Sequence, residues 1–268
     1  MMLSRTARIV LRLVMAFGLA LIWLPLLVVA INSLNVDRAF GWPPRGLTLD
    51  WWRAAWGNAG ARAALWTSLQ AAAGATLVAL VLGTMVAFAV QRYSFFGREA
   101  VSLLVVLPIA LPGIVTGIAL NTAFHGVLGV GLGLLTVIIG HATFCIVVVF
   151  NNVVARLRRT SPSLAEASMD LGADGLQTFR RVTLPAMRSA LLAGGLLAFA
   201  LSFDEIVVTT FTAGAGVQTL PIWIFANMAR PNQAPVVSVV AVVLVVASIV
   251  PVYLAQRLSS EPTSSGLI

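Results

Sequence analysis

"EASMDLGADGLQTFRRVTLP" occupies residues 166–185, a charged, glycine-punctuated insert between two long apolar runs. Its residue types spell two short capped helices and a stop. Ser163 followed by Glu166 fits a capping box, and Ser161 with Pro162 at the first helical position is an equally good start. Leu164, Ala167 and Leu171 then share an apolar stripe, while Glu166 and Asp170 face elsewhere. Gly172 is a natural left-handed stop. Asp174 can cap a second turn carrying Leu176, Phe179 and Val182, which Leu184–Pro185 ends. A hairpin this small has no core of its own, so its apolar side needs a surface. A partner protein supplies one; the lipid interface is the alternative.

The surroundings of the insert set the class. The chain has 268 residues, 59% hydrophobic and 10% charged, with a mean hydropathy of +0.97. Soluble domains carry about a quarter charged residues, so this composition belongs to membrane proteins. The basic residues are all Arg. Without Lys the chain has no Walker A loop and no Schiff-base chemistry. No serine–histidine–aspartate constellation with workable placement is visible. The single cysteine, Cys145, precludes an internal disulfide.

Six stretches are apolar over about 20 residues, the length a helix needs to cross a bilayer: roughly 9–31, 65–90, 100–121, 127–150, 187–211 and 236–256. The run from Leu13 to Ile31 exceeds a signal-peptide core of about 7–15 residues, so it is expected to be a retained span. With both termini cytoplasmic, 12 arginines lie inside and 5 outside, as the positive-inside rule prefers. The net charge of +8 is therefore a topology signal and does not call for nucleic acid. The expected fold is an all-α membrane protein of six helices, one domain over residues 1–268, with a cytoplasmic loop at 152–186.

Glu166-Ala167-Ser168, three residues, Gly172, nine residues, Val182, then Leu184-Pro185 resembles the EAA loop of ATP-binding-cassette (ABC) importer permeases of type I. Ser168 stands for an Ala of that pattern and Val182 for an Ile. The resemblance implies that the loop is a coupling helix seated on a separate ATPase dimer, with Leu164, Glu166, Ala167, Asp170, Leu171, Gly172 and Phe179 at the coupling surface. It places ATP and magnesium on that partner, with no cofactor on this chain. It also implies a second permease, forming a heterodimer, and a periplasmic or lipid-anchored substrate-binding protein, all at a bacterial inner membrane.

"LTLDWWRAAWGNAGARAALWTSL" and "ALSFDEIVVTTFTAG" followed by "TLPIWIF" are similar to segments of the spermidine/putrescine permease subunits. That resemblance implies a polyamine cargo; iron, phosphonate and other amine importers share parts of it. Asp204 and Glu205 lie deep in the fifth run, where acids are costly and face a cavity or a partner. Phe203 and Trp223 offer cation–π contacts to a polycation. The alternative is that the acids pair with arginines of the second permease. "LPIALPGIV" departs from the polyamine permeases by carrying Gly113 where an acid is expected. Pro108, Pro112 and Gly113 predict a kink in span three, serving either a gate or packing. His141 and Cys145 share a helix face but are too few for a metal site, so an interhelical hydrogen bond is expected at His141. His125 is expected in a solvated outer loop. Trp51, Trp52 and Trp56 fit an interfacial belt or a seat for the binding protein. An ion-coupled secondary transporter is the competing class, but its usual internal repeat is absent from the sequence.

Overall fold

The computed structural model describes residues 4–38, 43–161 and 163–259; Pro162, one of the helix starts considered above, lies outside the described residues. The chain is built from helices: α1 (Arg5–Asn32), α2 (Asp50–Gly57), α3 (Ala59–Arg92), α4 (Arg98–Ala110), α5 (Gly113–Asn121), α6 (Leu134–Arg159), α7 (Ser163–Asp170), α8 (Gly175–Thr178), α9 (Leu184–Phe203), α10 (Val207–Thr212), α11 (Leu220–Asn227) and α12 (Ala234–Ser259). Among the described residues, β pairing is confined to an isolated Asn35–Leu47 bridge.

Among the described residues, four helices are long and apolar enough to cross a membrane: α1, α3, α6 and the continuous Gly175–Phe203 stretch that joins α8 to α9 through a wide π-type turn. Counting α4 and α5 as one bent span gives five. The last helix, α12, is 26 residues long, and its residues Ala234–Ile249 are apolar. The protein is thus a multi-pass helical membrane protein.

Three expected spans take a different form. Span three is two helices bent by 104°. Leu111, ahead of Pro112, takes extended backbone (φ −84°, ψ 144°), because the proline ring disfavours helix at the preceding residue. Span five is interrupted between Phe203 and Val207. Span four starts at Leu134, after the glycine-rich "GVGLG" at 129–133, where backbone entropy opposes a helix.

The described residues separate into two compact units, residues 4–62 with Ile224–Val250, and Ala63–Trp223 with residues 251–259. In the first, α1 buries none of its side chains. In the second, α6 is the centre. Val137, Val147, Val149 and Val153 are fully buried, and α3 meets the core with Ala71, Ala72, Ala75 and Ala79, also fully buried. Lipid tails are as apolar as leucine, so spans associate through close packing, which small residues permit. α6 and α9 run antiparallel: Arg156 Nε donates to the Ala186 carbonyl at 2.9 Å, and the Cys145 thiol to the Ala198 carbonyl at 3.3 Å.

Candidate functional site

The two interruptions meet. α5 packs along α10, so closely that a Cβ on Gly117 would stand 2.6 Å from the Phe211 ring. Asn121 Nδ2 donates to the Phe211 carbonyl at 2.6 Å, and the Thr136 hydroxyl to the Thr212 carbonyl at 2.7 Å. Beside this junction lies a cavity of about 180 Å³ whose lining includes Pro108, Gly113, Thr116, Phe144 and Glu205. That is room for about six waters. The Thr116 hydroxyl is buried with no hydrogen-bond partner among the described residues. A buried orphan hydroxyl is uncommon and costs about 1–3 kcal/mol. Sequence reasoning missed Thr116: a lone threonine in an apolar helix carries no signal of its own.

The two neighbouring acids differ. Glu205 Oε1 accepts the Val208 backbone N–H at 2.9 Å and so caps α10, where the helix dipole favours negative charge. Asp204 ends α9, the end at which the dipole disfavours it. It is exposed, and its carboxylate has no hydrogen-bond or ion-pair partner among the described residues. Thus Glu205 faces the cavity and Asp204 faces out. Of the other predicted path residues, Phe203 stacks on Phe199 (centroids 6.0 Å apart). Trp223 is buried in α11 and is absent from the cavity lining. Pro108, Gly113 and Glu205 are brought together; Asp204, Phe203 and Trp223 are not.

His141 is fully buried and bridges both sides of the α9–α10 interruption. Its Nδ1 lies 2.7 Å from the Ser202 hydroxyl and its Nε2 2.8 Å from that of Thr209. The hydrogen-bonded interhelical role expected of this histidine is what the geometry has. His125 is exposed in a wide turn after α5.

The opening stretch folds as a tied hairpin. α7 begins at Ser163, whose N–H reaches the Ser161 hydroxyl at 3.3 Å, so the Ser161 start describes it better than a Ser163–Glu166 box. Gly172 has φ +88°. Its N–H donates to the Met169 carbonyl and that of Ala173 to Ser168, the paired bonds of a Schellman stop. Asp174 accepts from the Gln177 N–H at 2.8 Å, and Gln177 Oε1 accepts from the Asp174 N–H at 3.4 Å. This complete capping box is spelled by D-x-x-Q in the sequence. The hydroxyls of Ser168 and Thr178 lie 3.1 Å apart and join α7 to α8. Phe179 packs edge-on against Phe88 of α3, centroids 5.7 Å apart, so it anchors the hairpin's root. Leu164 (53% exposed), Leu171 (89%) and Leu176 (65%) face outward with Glu166, Ala167 and Asp170.

In the first unit, Trp51 Nε1 donates to the Asn35 carbonyl at 2.8 Å, and Trp52 is part-buried with its indole N–H buried too. Trp56 is the one of the three left open, at 83% exposure.

Residues 79–261 match the family described as "Binding-protein-dependent transport system inner membrane component". The chain is 31% identical over 242 residues to the spermidine/putrescine transport system permease protein PotC of Haemophilus influenzae, covering 90% of this chain and 93% of that one. It is 31% identical over 241 residues to the putrescine transport system permease protein PotI of Escherichia coli (86% and 84% covered). In fold it is similar to a bacterial ABC transporter involved in importing the acidic polysaccharide alginate, with a TM-score of 0.76 over 96% of this chain and 99% of that one, at 16% identity. The chain belongs to the family of binding-protein-dependent transport system inner membrane components, as a permease subunit and not an enzyme.

Proposed function

We propose that this chain is one permease half of an ATP-driven importer of polyamines in a bacterial inner membrane, with six spans and both termini in the cytoplasm. The observation that carries the substrate class is the likeness to two permeases named for spermidine and putrescine. Glu205 at the double break is what a polycation needs along its path. Asp204, Phe203 and Trp223 belong to the wider path on this reading, and Pro108, Pro112 and Gly113 shape the gate.

The hairpin at 163–185 is the coupling element. Its outward leucines with Glu166, Ala167, Asp170 and Gly172 seat on an ATPase dimer that holds ATP and magnesium, while Phe179 fixes its root. ATP-driven closure of that dimer rocks this permease and a second, non-identical one between inward-facing and outward-facing states. A periplasmic or lipid-anchored binding protein delivers the cargo, with Trp56 in the contact. Membrane lipid covers the remaining apolar surface.

The test is ATP hydrolysis by the reconstituted complex of both permeases and the ATPase, with polyamine-loaded binding protein added. Stimulation by spermidine or putrescine is expected. An assembled complex that no polyamine stimulates contradicts the substrate class.

A further inference from the structure

The contacts of His141 favour one placement of its proton. Thr209 has one hydroxyl proton, which it donates to the Glu205 carbonyl at 2.8 Å. Its oxygen can then only accept from the imidazole 2.8 Å away, so Nε2 carries the hydrogen. In the neutral ring Nδ1 is left as an acceptor, and the Ser202 hydroxyl 2.7 Å away donates to it. The result is one directed chain: Ser202 O–H to Nδ1, Nε2–H to Thr209, Thr209 O–H to the Glu205 carbonyl. In a continuous helix Ser202 and Thr209 would stand roughly 10 Å apart along the axis. Here a single ring touches both, because the helix is interrupted at residues 204–206 between α9 and α10. Glu205 sits within that interruption, with its carbonyl on the chain's last bond and its carboxylate on the cavity.

We propose that His141 is a positioning residue of the transport path: as the neutral Nε2–H tautomer it clamps the α9–α10 interruption and thereby holds Glu205 at the cavity. The proposal rests on the reading of Glu205 as a path residue. Imidazole suits the task because it offers a donor and an acceptor on opposite edges of one rigid ring. A leucine of similar bulk offers neither: the Ser202 hydroxyl would lose its partner and Thr209 would keep only the Glu205 carbonyl.

Two readouts test it. The first is the ¹⁵N spectrum of the complex reassembled with only this chain histidine-labelled. The chain has two histidines, so His125→Gln assigns the signals. A His141 ring protonated at Nε2 alone is expected; an Nδ1–H ring or a doubly protonated one overturns the clamp. The second is a double-mutant cycle of polyamine uptake with His141→Leu and Glu205→Gln. Each single variant is expected to lower uptake about tenfold, and the double variant no further than the more impaired single one. Effects that multiply overturn the claim that His141 acts through Glu205. If His141→Leu does not assemble by size-exclusion, Thr209→Val, which leaves the ring in place, takes its position in the cycle with the same criterion. Unchanged uptake in Glu205→Gln alone overturns the path reading and the transport role of His141 with it. The ring spectrum tests the clamp independently of uptake, so the two failures are told apart.

Discussion

The hairpin at 163–185 and the interruption at 203–207 both break the apolar pattern of spans, yet they are held in opposite ways. Beyond its root, where Phe179 rests on Phe88, the hairpin is held by its neighbours in sequence. Gly172, Asp174, Gln177 and the Ser168–Thr178 contact all act within ten residues. The interruption is held from far along the chain, by His141 at separations of 61 and 68 residues. A locally held element keeps its shape while the rest of the protein moves, which suits a part that transmits force. An element held by another helix changes shape when that helix shifts, which suits a gate. The surfaces agree: the hairpin turns leucines outward, and the interruption turns a carboxylate toward a cavity.

The largest expected effect concerns the side of the membrane the hairpin faces, with α2 as the reference for the opposite side. Gly57 and Gly175 are both exposed with open space around them, and Cys145 is fully buried, giving a silent background. In spheroplasts, Gly57→Cys should react with an impermeant thiol reagent and Gly175→Cys only after permeabilisation. The reverse pattern puts the hairpin outside, where no ATPase can reach it. Next, Gly172→Val forces a β-branched residue to φ +88°, a strain of about 1–3 kcal/mol that should open the Schellman turn. Uptake should fall roughly tenfold or more with assembly intact; full uptake removes the hairpin from coupling.

The two regions were also unequally legible in the sequence. Ser161, Gly172 and Asp174 mark the hairpin because caps and left-handed stops are local devices with few residue choices. The run 187–211 reads as one unbroken span because Ser202 and Thr209 differ from ordinary helix residues only in facing a histidine on another helix. The 104° bend is intermediate. Leu111-Pro112 locates it, but its size depends on α5 lying along α10, which Gly117 permits. Four long apolar spans were plain from length alone. That Asp204 and Glu205 part company was not, since adjacent residues look alike until the backbone between two helices turns.

Smaller changes sharpen the contrast. Gly117→Ala drives a methyl into Phe211, and overpacking of this kind costs about 1–3 kcal/mol. The thermal midpoint of the purified permease should drop, with the hairpin's own protection from proteolysis unchanged; parallel loss in both regions means they are not separately held. Ser168→Ala should be milder still. It removes one hydroxyl contact of 3.1 Å, worth about 0.5–1.5 kcal/mol, and should reduce uptake less than Gly172→Val does. A larger loss would shift the weight of the hairpin from its turn to that tie.

The central claim is that the hairpin takes work from an ATPase and the interruption passes a polycation. Uptake of labelled spermidine by proteoliposomes holding the complete complex, with Glu205→Gln measured beside the unaltered chain, tests it most directly. The account predicts accumulation that requires ATP and loaded binding protein, reduced about tenfold when Glu205 loses its charge. Accumulation that proceeds without the ATPase, or that is indifferent to the charge at Glu205 in an assembled complex, contradicts it.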